Sequence, residues 1–285
     1  MKVSVCTLAR GREDRLRNLM RALDAQTRAP DEMVVVAMQP QPFDLHEVGF
    51  PVHQIHVDGE RLPLARARNA AARAAAHPWL LFLDVDCLPL PDHIEAFARD
   101  GALMDGACAM GEVRYLDGHA DPAASEPDDL WETSAAHPAR AFGDAARELD
   151  DHGEFWSLCF ALPARVFHRV GGFDEGFEGY GGEDTDFAMA LAAARVPLRW
   201  VPGARAVHQW HPVSIPPLQH LEDIVRNANR FAAKHGRDCM DYWTAQLAAD
   251  GFVARDPPRG KLRIVRRPSA DELQAALRGP GVRFS

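Results

Sequence analysis

Asp84-Val85-Asp86 sets two carboxylates one residue apart, directly after the apolar run Trp79-Leu80-Leu81-Phe82-Leu83. That run has the length of a buried strand. If the chain stays extended beyond it, both acids point to one side. In a low-dielectric setting the two charges repel, and each tends to hold a proton. A divalent cation removes the conflict. Mg²⁺ or Mn²⁺ takes oxygen ligands and commonly keeps waters or phosphate oxygens in its remaining positions. The tripeptide therefore reads as a strand end that presents a metal and, through it, a diphosphate. A plain polar turn would use the same residue types.

The elements that must position this pair can be read in order. Lys2 to Leu8 is a first strand, broken by Arg10-Gly11-Arg12, and Glu13 to Gln26 places Leu16, Leu19, Met20 and Leu23 on one helical face. Met33 to Ala37 is too apolar to have a wet face, as in a parallel sheet. Val52 to Val57 is a further strand, Leu64 to Ala76 a helix, and Trp79 to Leu83 the strand before the acids. This βαβ beginning builds a nucleotide-binding type of sheet. Pro89 and Pro91 are expected to stop regular structure, Asp92 to cap a helix to Asp100, and Ala107 to Arg114 to form a strand. Residues 117–152 lose periodicity and read as a long, partly mobile loop, either of the kind that serves as a lid or acceptor platform or disordered without function. Glu154 to Leu162 is strand-like and Pro163 to Val170 a short helix. Gly179-Tyr180-Gly181-Gly182 leads into Glu183-Asp184-Thr185-Asp186, acids in the first turn of a helix running to Ala194, where the macrodipole favours them. Leu198 to Val201 and Ala204 to His208 are two strands, and Leu218 to His235 is a long helix.

The 285 residues carry 47% hydrophobic and 26% charged residues, a globular composition, with a net charge of −9. No dense Lys/Arg block accompanies that charge, which argues against a nucleic-acid partner. Five cysteines without a CxxC pair fit neither a disulfide framework nor a zinc knuckle, and point to a reducing, cytoplasmic setting. The N-terminal segment lacks the pattern of a signal peptide, and no apolar stretch is long enough to span a membrane, although contact with a membrane surface stays open.

Several pieces coincide in order: Val3-Ser4-Val5-Cys6-Thr7, Leu64-Ala65-Arg66-Ala67-Arg68-Asn69, Leu81-Phe82-Leu83-Asp84-Val85-Asp86, Gly171-Gly172-Phe173-Asp174-Glu175, Gly179 to Asp186, and His208 after the last strand. This series resembles the nucleotide-sugar glycosyltransferases of the GT-A fold, family 2 type. Its second half is also similar to the galactosyltransferase and polypeptide N-acetylgalactosaminyltransferase C-terminal region. The resemblance covers roughly residues 1 to 236 and implies an α/β fold, a Rossmann-like mixed sheet flanked by helices. It implies a catalytic domain over 1–215, with a nucleotide-binding half over about 1–116 and an acceptor half over about 153–215. Residues 216–285 would form a helical extension packing on it.

The same resemblance implies the chemistry. Mn²⁺ or Mg²⁺ would sit on Asp86 and His208, with Asp84 contacting the metal, its waters or the ribose, and would offset charge on a departing diphosphate. His211 could join that site. Asp184 would be the general base that takes the acceptor hydroxyl proton in an inverting transfer, and Glu183 would bind donor or acceptor sugar. Thr7, Ala9, Arg10, Arg66 and Asn69, together with Val85 between the acids, would line the nucleotide site, with Arg66 or Arg68 near a phosphate. Where relatives carry an acid to read the uracil edge, this chain has Val36-Ala37-Met38-Gln39, and Gln39 offers a donor and an acceptor in its place. The donor would be a nucleotide sugar, with UDP favoured, and the acceptor a saccharide, lipid-linked or other hydroxyl. Trp210, Trp156 and Tyr180 are candidates to stack on a sugar face. A retaining transferase on the same fold and a non-catalytic nucleotide-sugar-binding module are the competing readings. A nucleotidyltransferase would want a richer glycine loop than Arg10-Gly11-Arg12.

Overall fold

The computed structural model of the chain describes residues 1–101, 105–140, 143–256 and 260–284. The expected loop over 117–152 thus includes two residues, 141 and 142, that lie outside the described set, and the expected extension includes 257–259 and 285. The elements in order are β1 (Val3–Ala9), α1 (Glu13–Asp24), β2 (Glu32–Ala37), β3 (Val52–His56), α2 (Leu64–Ala74), β4 (Trp79–Leu83), β5 (Cys87–Pro89), α3 (His93–Asp100) and β6 (Cys108–Tyr115). Then come α4 (Pro127–Thr133), β7 (Ala135–Ala136), β8 (Arg147–Leu149), β9 (Cys159–Pro163), α5 (Ala164–Arg169), α6 (Glu183–Ala193) and β10 (Leu198–His208). The chain closes with α7 (Leu221–His235), α8 (Asp241–Ala249), β11 (Val253–Arg255), β12 (Leu262–Ile264) and α9 (Ala270–Ala276).

Ten strands form one mixed sheet in the order β3-β2-β1-β4-β9-β6-β10-β5, with β7 added to β6 and β8 to β10. The first four neighbours are parallel, and β9 inserts antiparallel between β4 and β6. The continuous apolar runs of β1, β2 and β4 have both faces covered. Val3, Val5, Met33, Val35, Leu81 and Leu83 pack toward α1 and α3, while Cys6, Leu8, Val34, Val36, Leu80 and Phe82 pack toward α2, α5 and α6. This is the expected consequence of a two-residue side-chain period in a sheet flanked on both sides. A third apolar cluster joins α7, α8, β11, β12 and α9, and Tyr180 packs against it.

Five expectations change. The strand expected from Glu154 to Leu162 begins only at Cys159, because His152–Glu154 closes as a short 3-10 turn. Residues 198–208 form one strand, not two, with a register break between Val201 and Arg205 that absorbs Pro202 and Gly203. Pro89 does not stop regular structure: β5 pairs only with the end of β10, so a missing N–H is tolerated there. The Asp92 side chain does not cap α3 and faces Arg205 at 3.4 Å. Residues 117–152 are not a bare loop, because α4, β7 and β8 dock on β6 and β10, with Trp131 under the guanidinium groups of Arg114 and Arg205. Among the described residues no helix is long and apolar enough to cross a membrane.

Candidate active site

Register brings the candidate groups together. In the antiparallel β5–β10 pair, Cys87 lies opposite His208, and the Gln209 amide donates to the Asp86 carbonyl oxygen at 2.7 Å. The residue before β5 and the residues after β10 are therefore locked side by side. The acidic tripeptide itself is not extended. The Cys87 amide donates to the Asp84 carbonyl oxygen at 2.8 Å, which closes a tight turn over Asp84–Cys87. The extended geometry expected for the tripeptide is therefore corrected: Asp84 pairs with Arg68 and Asp86 with Arg12 and Arg15, while the Asp86 charge still acts on Asp84.

Asp86 is buried and faces the imidazoles. Ligand atoms of Asp86, His208 and His211 all lie within 4.8 Å of one another. The sequence left His211 open; the structure groups it with Asp86 and His208, and leaves Asp84 outside that set. Burial, opposed by the Asp86 charge and reinforced by His211, pushes the His208 imidazole down to about 4. Burial lowers His211 as well, so both rings are neutral near pH 7 and have a lone pair to offer. Asp86 Oδ1 makes no hydrogen bond although it is buried. Arg15 Nε lies 3.1 Å from it, and Arg12 pairs with Oδ2. Arg12 holds a left-handed backbone at the start of α1, with φ of 61°, which turns its side chain back toward the acid. An oxygen and two neutral nitrogens, with one buried oxygen lacking a hydrogen bond, fit Mn²⁺ or a similar divalent ion.

Arg68, not Arg66, is the buried cation of α2. It is 3% exposed, reaches Asp84 Oδ1 at 3.4 Å and Glu183 Oε1 at 3.1 Å, and feels the charge of Asp184. Arg66 faces solvent. Burial, opposed by Arg68 and reinforced by the Asp86 charge, pushes the Asp84 carboxyl up to about 6. Burial also raises Glu183 and Asp184, Arg68 opposing in both and the Asp184 charge adding to the rise in Glu183. The acids at the start of α6 part company. Glu183 belongs to Arg68. Asp186 is buried and held by Lys234 at 2.7 Å and His235 at 2.7 Å. Asp184 has no ion pair among the described residues; its Oδ1 accepts from the Thr185 amide at 2.7 Å.

Other sequence-predicted residues are committed elsewhere. Asn69 clamps the Phe173 amide and carbonyl at 2.9 and 2.8 Å and also donates to Glu175, so it pins the segment before α6 and has no amide group left for a nucleotide. Gln39 Oε1 accepts from the Gly11 amide at 2.6 Å and its Nε2 donates to the Gln41 carbonyl, so both ends of the side chain brace the loop after β1 and do not present an open base-reading edge. Thr7 is fully buried in the middle of β1, its hydroxyl unbonded, and Ala9 is buried at the strand end; neither side chain lines an open cleft, while Arg10 faces solvent. Val85 is buried between the acids. Trp210 donates to the Val282 carbonyl at 2.8 Å, Arg140 covers Trp156, and Tyr180 stacks on His220, so each proposed sugar-stacking ring already has a partner.

The glycines before α6 serve backbone geometry. Gly179, Gly181 and Gly182 all have φ between 75° and 88°, and a Cβ on Gly179 would strike the Asp223 carboxylate. Asn227 of α7 donates to the Glu178, Tyr180 and Gly181 carbonyls at 3.0, 3.2 and 2.8 Å. Sequence reasoning missed Asn227, Arg12, Arg15 and Gln209. The one available signal was the basic loop after β1, where arginines would otherwise read as solvated.

A family model described as glycosyltransferase-like family 2 matches residues 44–214. The chain is 28% identical over 264 residues to validoxylamine A glucosyltransferase of Streptomyces hygroscopicus subsp. limoneus, covering 82% of this chain and 56% of that protein. A second such enzyme, from Streptomyces hygroscopicus subsp. jinggangensis, is covered over 44%, so the chain spans about half the length of the curated relatives it matches. Among solved structures, S. aureus TarS 1-349 in complex with UDP-GlcNAc superposes with a TM-score of 0.61 at 15% identity, over 88% of this chain and 72% of that one. GalNAc-T7 with UDP, GalNAc and Mn²⁺ gives 0.55 at 15% identity, over 88% of this chain and 57% of that one. These neighbours share the GT-A fold. With the family model matched across both sides of the site, the chain belongs to glycosyltransferase-like family 2.

Proposed function

We propose that this chain is the catalytic part of a divalent-metal-dependent, inverting glycosyltransferase that moves a sugar from a UDP-sugar to an acceptor hydroxyl. The observation that carries the reading is the grouping of Asp86, His208 and His211 within 4.8 Å. Those three residues would hold Mn²⁺ or Mg²⁺, and such an ion supplies Lewis-acid neutralisation of the leaving diphosphate. Arg12 and Arg15, the cations nearest Asp86, would add positive charge to the same place. Asp184 would take the acceptor proton. Among the described residues it has no ion pair of its own, and burial raises its pKa above that of an ordinary carboxylate, toward the value a base needs near neutral pH. Glu183 and Asp84 would be oriented by Arg68 to bind the sugar or the ribose. TarS 1-349, of the same fold, was solved in complex with UDP-GlcNAc, and this supports UDP as the carrier here. The five buried free thiols support a reducing compartment such as the cytoplasm.

Calorimetry with UDP in the presence and absence of Mn²⁺ tests the reading. Binding should need the ion, and Asp86→Ala should abolish the metal-dependent binding. Equal UDP affinity with and without metal in the parent protein would overturn it.

A further inference from the structure

The segment after α9 returns to the candidate site. The Gly118 amide donates to the Pro280 carbonyl at 2.8 Å, and Trp210 Nε1 donates to Val282 at 2.8 Å. Arg283 pairs with Asp117 Oδ2 at 3.0 Å and donates to the Thr133 carbonyl at 3.1 Å. Gly118 permits the approach, because a Cβ there would lie 2.5 Å from Pro280. These bonds deliver Phe284 edge-on to two rings, Tyr115 at 5.6 Å and His137 at 4.7 Å. His137 meets Trp156 edge-on at 4.9 Å, and Arg140 lies over the Trp156 ring. Tyr115 in turn stacks on His208 at 4.9 Å. The Phe284 ring therefore sits one side chain away from the Asp86–His208–His211 group. Arg140 feels the charge of Asp184, which puts the cage within electrostatic reach of the other candidate group as well.

Two features of this cage match a polyhydroxylated six-membered ring. Its walls are aromatic, and the C–H face of a sugar or cyclitol packs on such walls as other apolar surface does. Its rim carries a carboxylate, Asp117, and a guanidinium, Arg140, groups that accept from and donate to ring hydroxyls. Phe284 occupies the ring position, and Arg283 occupies the Asp117 oxygen that a hydroxyl would use. We infer that Tyr115, His137 and Asp117 form the acceptor subsite for a saccharide or cyclitol ring, which Arg283 and Phe284 fill in the unliganded protein and vacate when acceptor binds. The inference rests on the transferase reading above and adds the class and place of the acceptor.

The test uses the full chain with methyl β-D-glucopyranoside and myo-inositol as ring probes, their affinities measured by saturation-transfer NMR titration. Phe284→Ala should bind at least one probe about fivefold or more tighter than the parent. In that background His137→Ala should remove the gain, and His137→Phe, which restores an aromatic wall, should keep it. If Phe284→Ala binds neither probe more tightly than the parent, or if His137→Ala leaves the gain intact, the subsite assignment is overturned. Calorimetry of UDP with Mn²⁺ on the same samples separates the two readings. Intact UDP–Mn²⁺ binding with no gain in probe binding discards the cage alone, whereas metal-independent UDP binding in the parent discards the transferase site.

Discussion

Gln209 and Asp86 are joined main chain to main chain: the Gln209 amide donates to the Asp86 carbonyl oxygen at 2.7 Å, beside the Cys87–His208 register pair. The Gln209 side chain adds contacts to the Val85 and Arg15 carbonyls at 3.4 Å and accepts from Asn18 at 2.9 Å. One residue thus ties the acidic turn, the imidazole segment and α1. Gln209→Ala should leave the fold intact, since β5–β10 pairing is main-chain, but loosen this alignment. Mn²⁺ affinity measured by competition with a fluorescent chelator is expected to fall about tenfold, the lower end of the range seen for groups that orient metal ligands. Unchanged affinity would show that the backbone pairing alone aligns the site.

Asp86 and the two histidines should be unequal. Asp86→Ala removes the only anionic member of the group, and Mn²⁺ affinity should fall by more than about 100-fold. His208→Ala and His211→Ala should each cost about 10-fold or more. An undiminished affinity for His211→Ala in the same titration would return that residue to the surface role the sequence alone allowed, and the same result for His208→Ala would remove His208 from the site.

Most of the sheet was legible in the sequence because β1, β2 and β4 are uninterrupted apolar runs, and α1 shows one clean apolar face. The order of acids, glycines and histidine was legible too, and with it the GT-A fold and the family. What escaped reading depends on contacts between distant residues. Arg12 meets Asp86 across 74 positions, and nothing local in Arg10-Gly11-Arg12 separates a buried partner from a solvated charge. Asn69 looked like a ligand group because its partners, Phe173 and Glu175, lie more than a hundred residues away. Pro89 looked like a breaker because sequence does not reveal that β5 pairs along one edge only. Asn227 gave no sign at all, since an Asn inside an amphipathic helix reads as neutral.

Arg68 is the most consequential charge for stability. It and Glu183 are both buried, and Asp84 is a third, half-buried member. Arg68→Met keeps much of the packing volume but leaves Glu183 buried without a counter-charge. Breaking a buried pair from one side costs roughly 3–5 kcal/mol. Urea unfolding near pH 7 should show a loss of that order, while Arg73→Met on the exposed side of the same helix, whose partner Glu175 is also exposed, should cost less than about 1 kcal/mol. Equal losses for the two variants would contradict the hub assigned to Arg68.

Asp184→Asn should leave UDP–Mn²⁺ affinity unchanged and lower sugar transfer by about 10²–10⁴-fold, the usual worth of a positioned base. The pH profile follows from the direction of its shift. Burial raises the folded pKa of Asp184 above the ordinary carboxylate value of about 4, so the proton is held longer and the competent, ionised form appears only as pH rises. Turnover should therefore climb with pH along a limb displaced above that value, and the limb should vanish in the residual activity of Asp184→Asn. A profile in Asp184→Asn that keeps the parent limb would assign the base to another group.

His93 gives the fold a pH dependence of the opposite origin, outside the site. It is fully buried beneath β10, its Nδ1 2.8 Å from the Arg205 carbonyl and its Nε2 3.5 Å from Cys159 Sγ. Burial lowers its pKa from 6.5 to about 4 in the folded chain. Between those two values the unfolded chain binds the proton more readily, so stability rises with pH through the window and is lost as pH falls from 6.5 toward 4. A shift of this size corresponds to roughly 3 kcal/mol for the one group. His208 adds a loss of the same sign, because its pKa is also lowered to about 4. Asp84, Glu183 and Asp184, raised by burial, act in the opposite sense over the same window, so the His93 contribution is read as a difference between two proteins. In urea midpoints recorded from pH 7 to pH 4, the gap between the parent and His93→Leu should narrow as pH falls, from a start at which the variant is lower for want of the Arg205 hydrogen bond. An identical slope in the two proteins would mean that His93 takes up no proton on unfolding, and that the buried ring is not the source of the acid sensitivity.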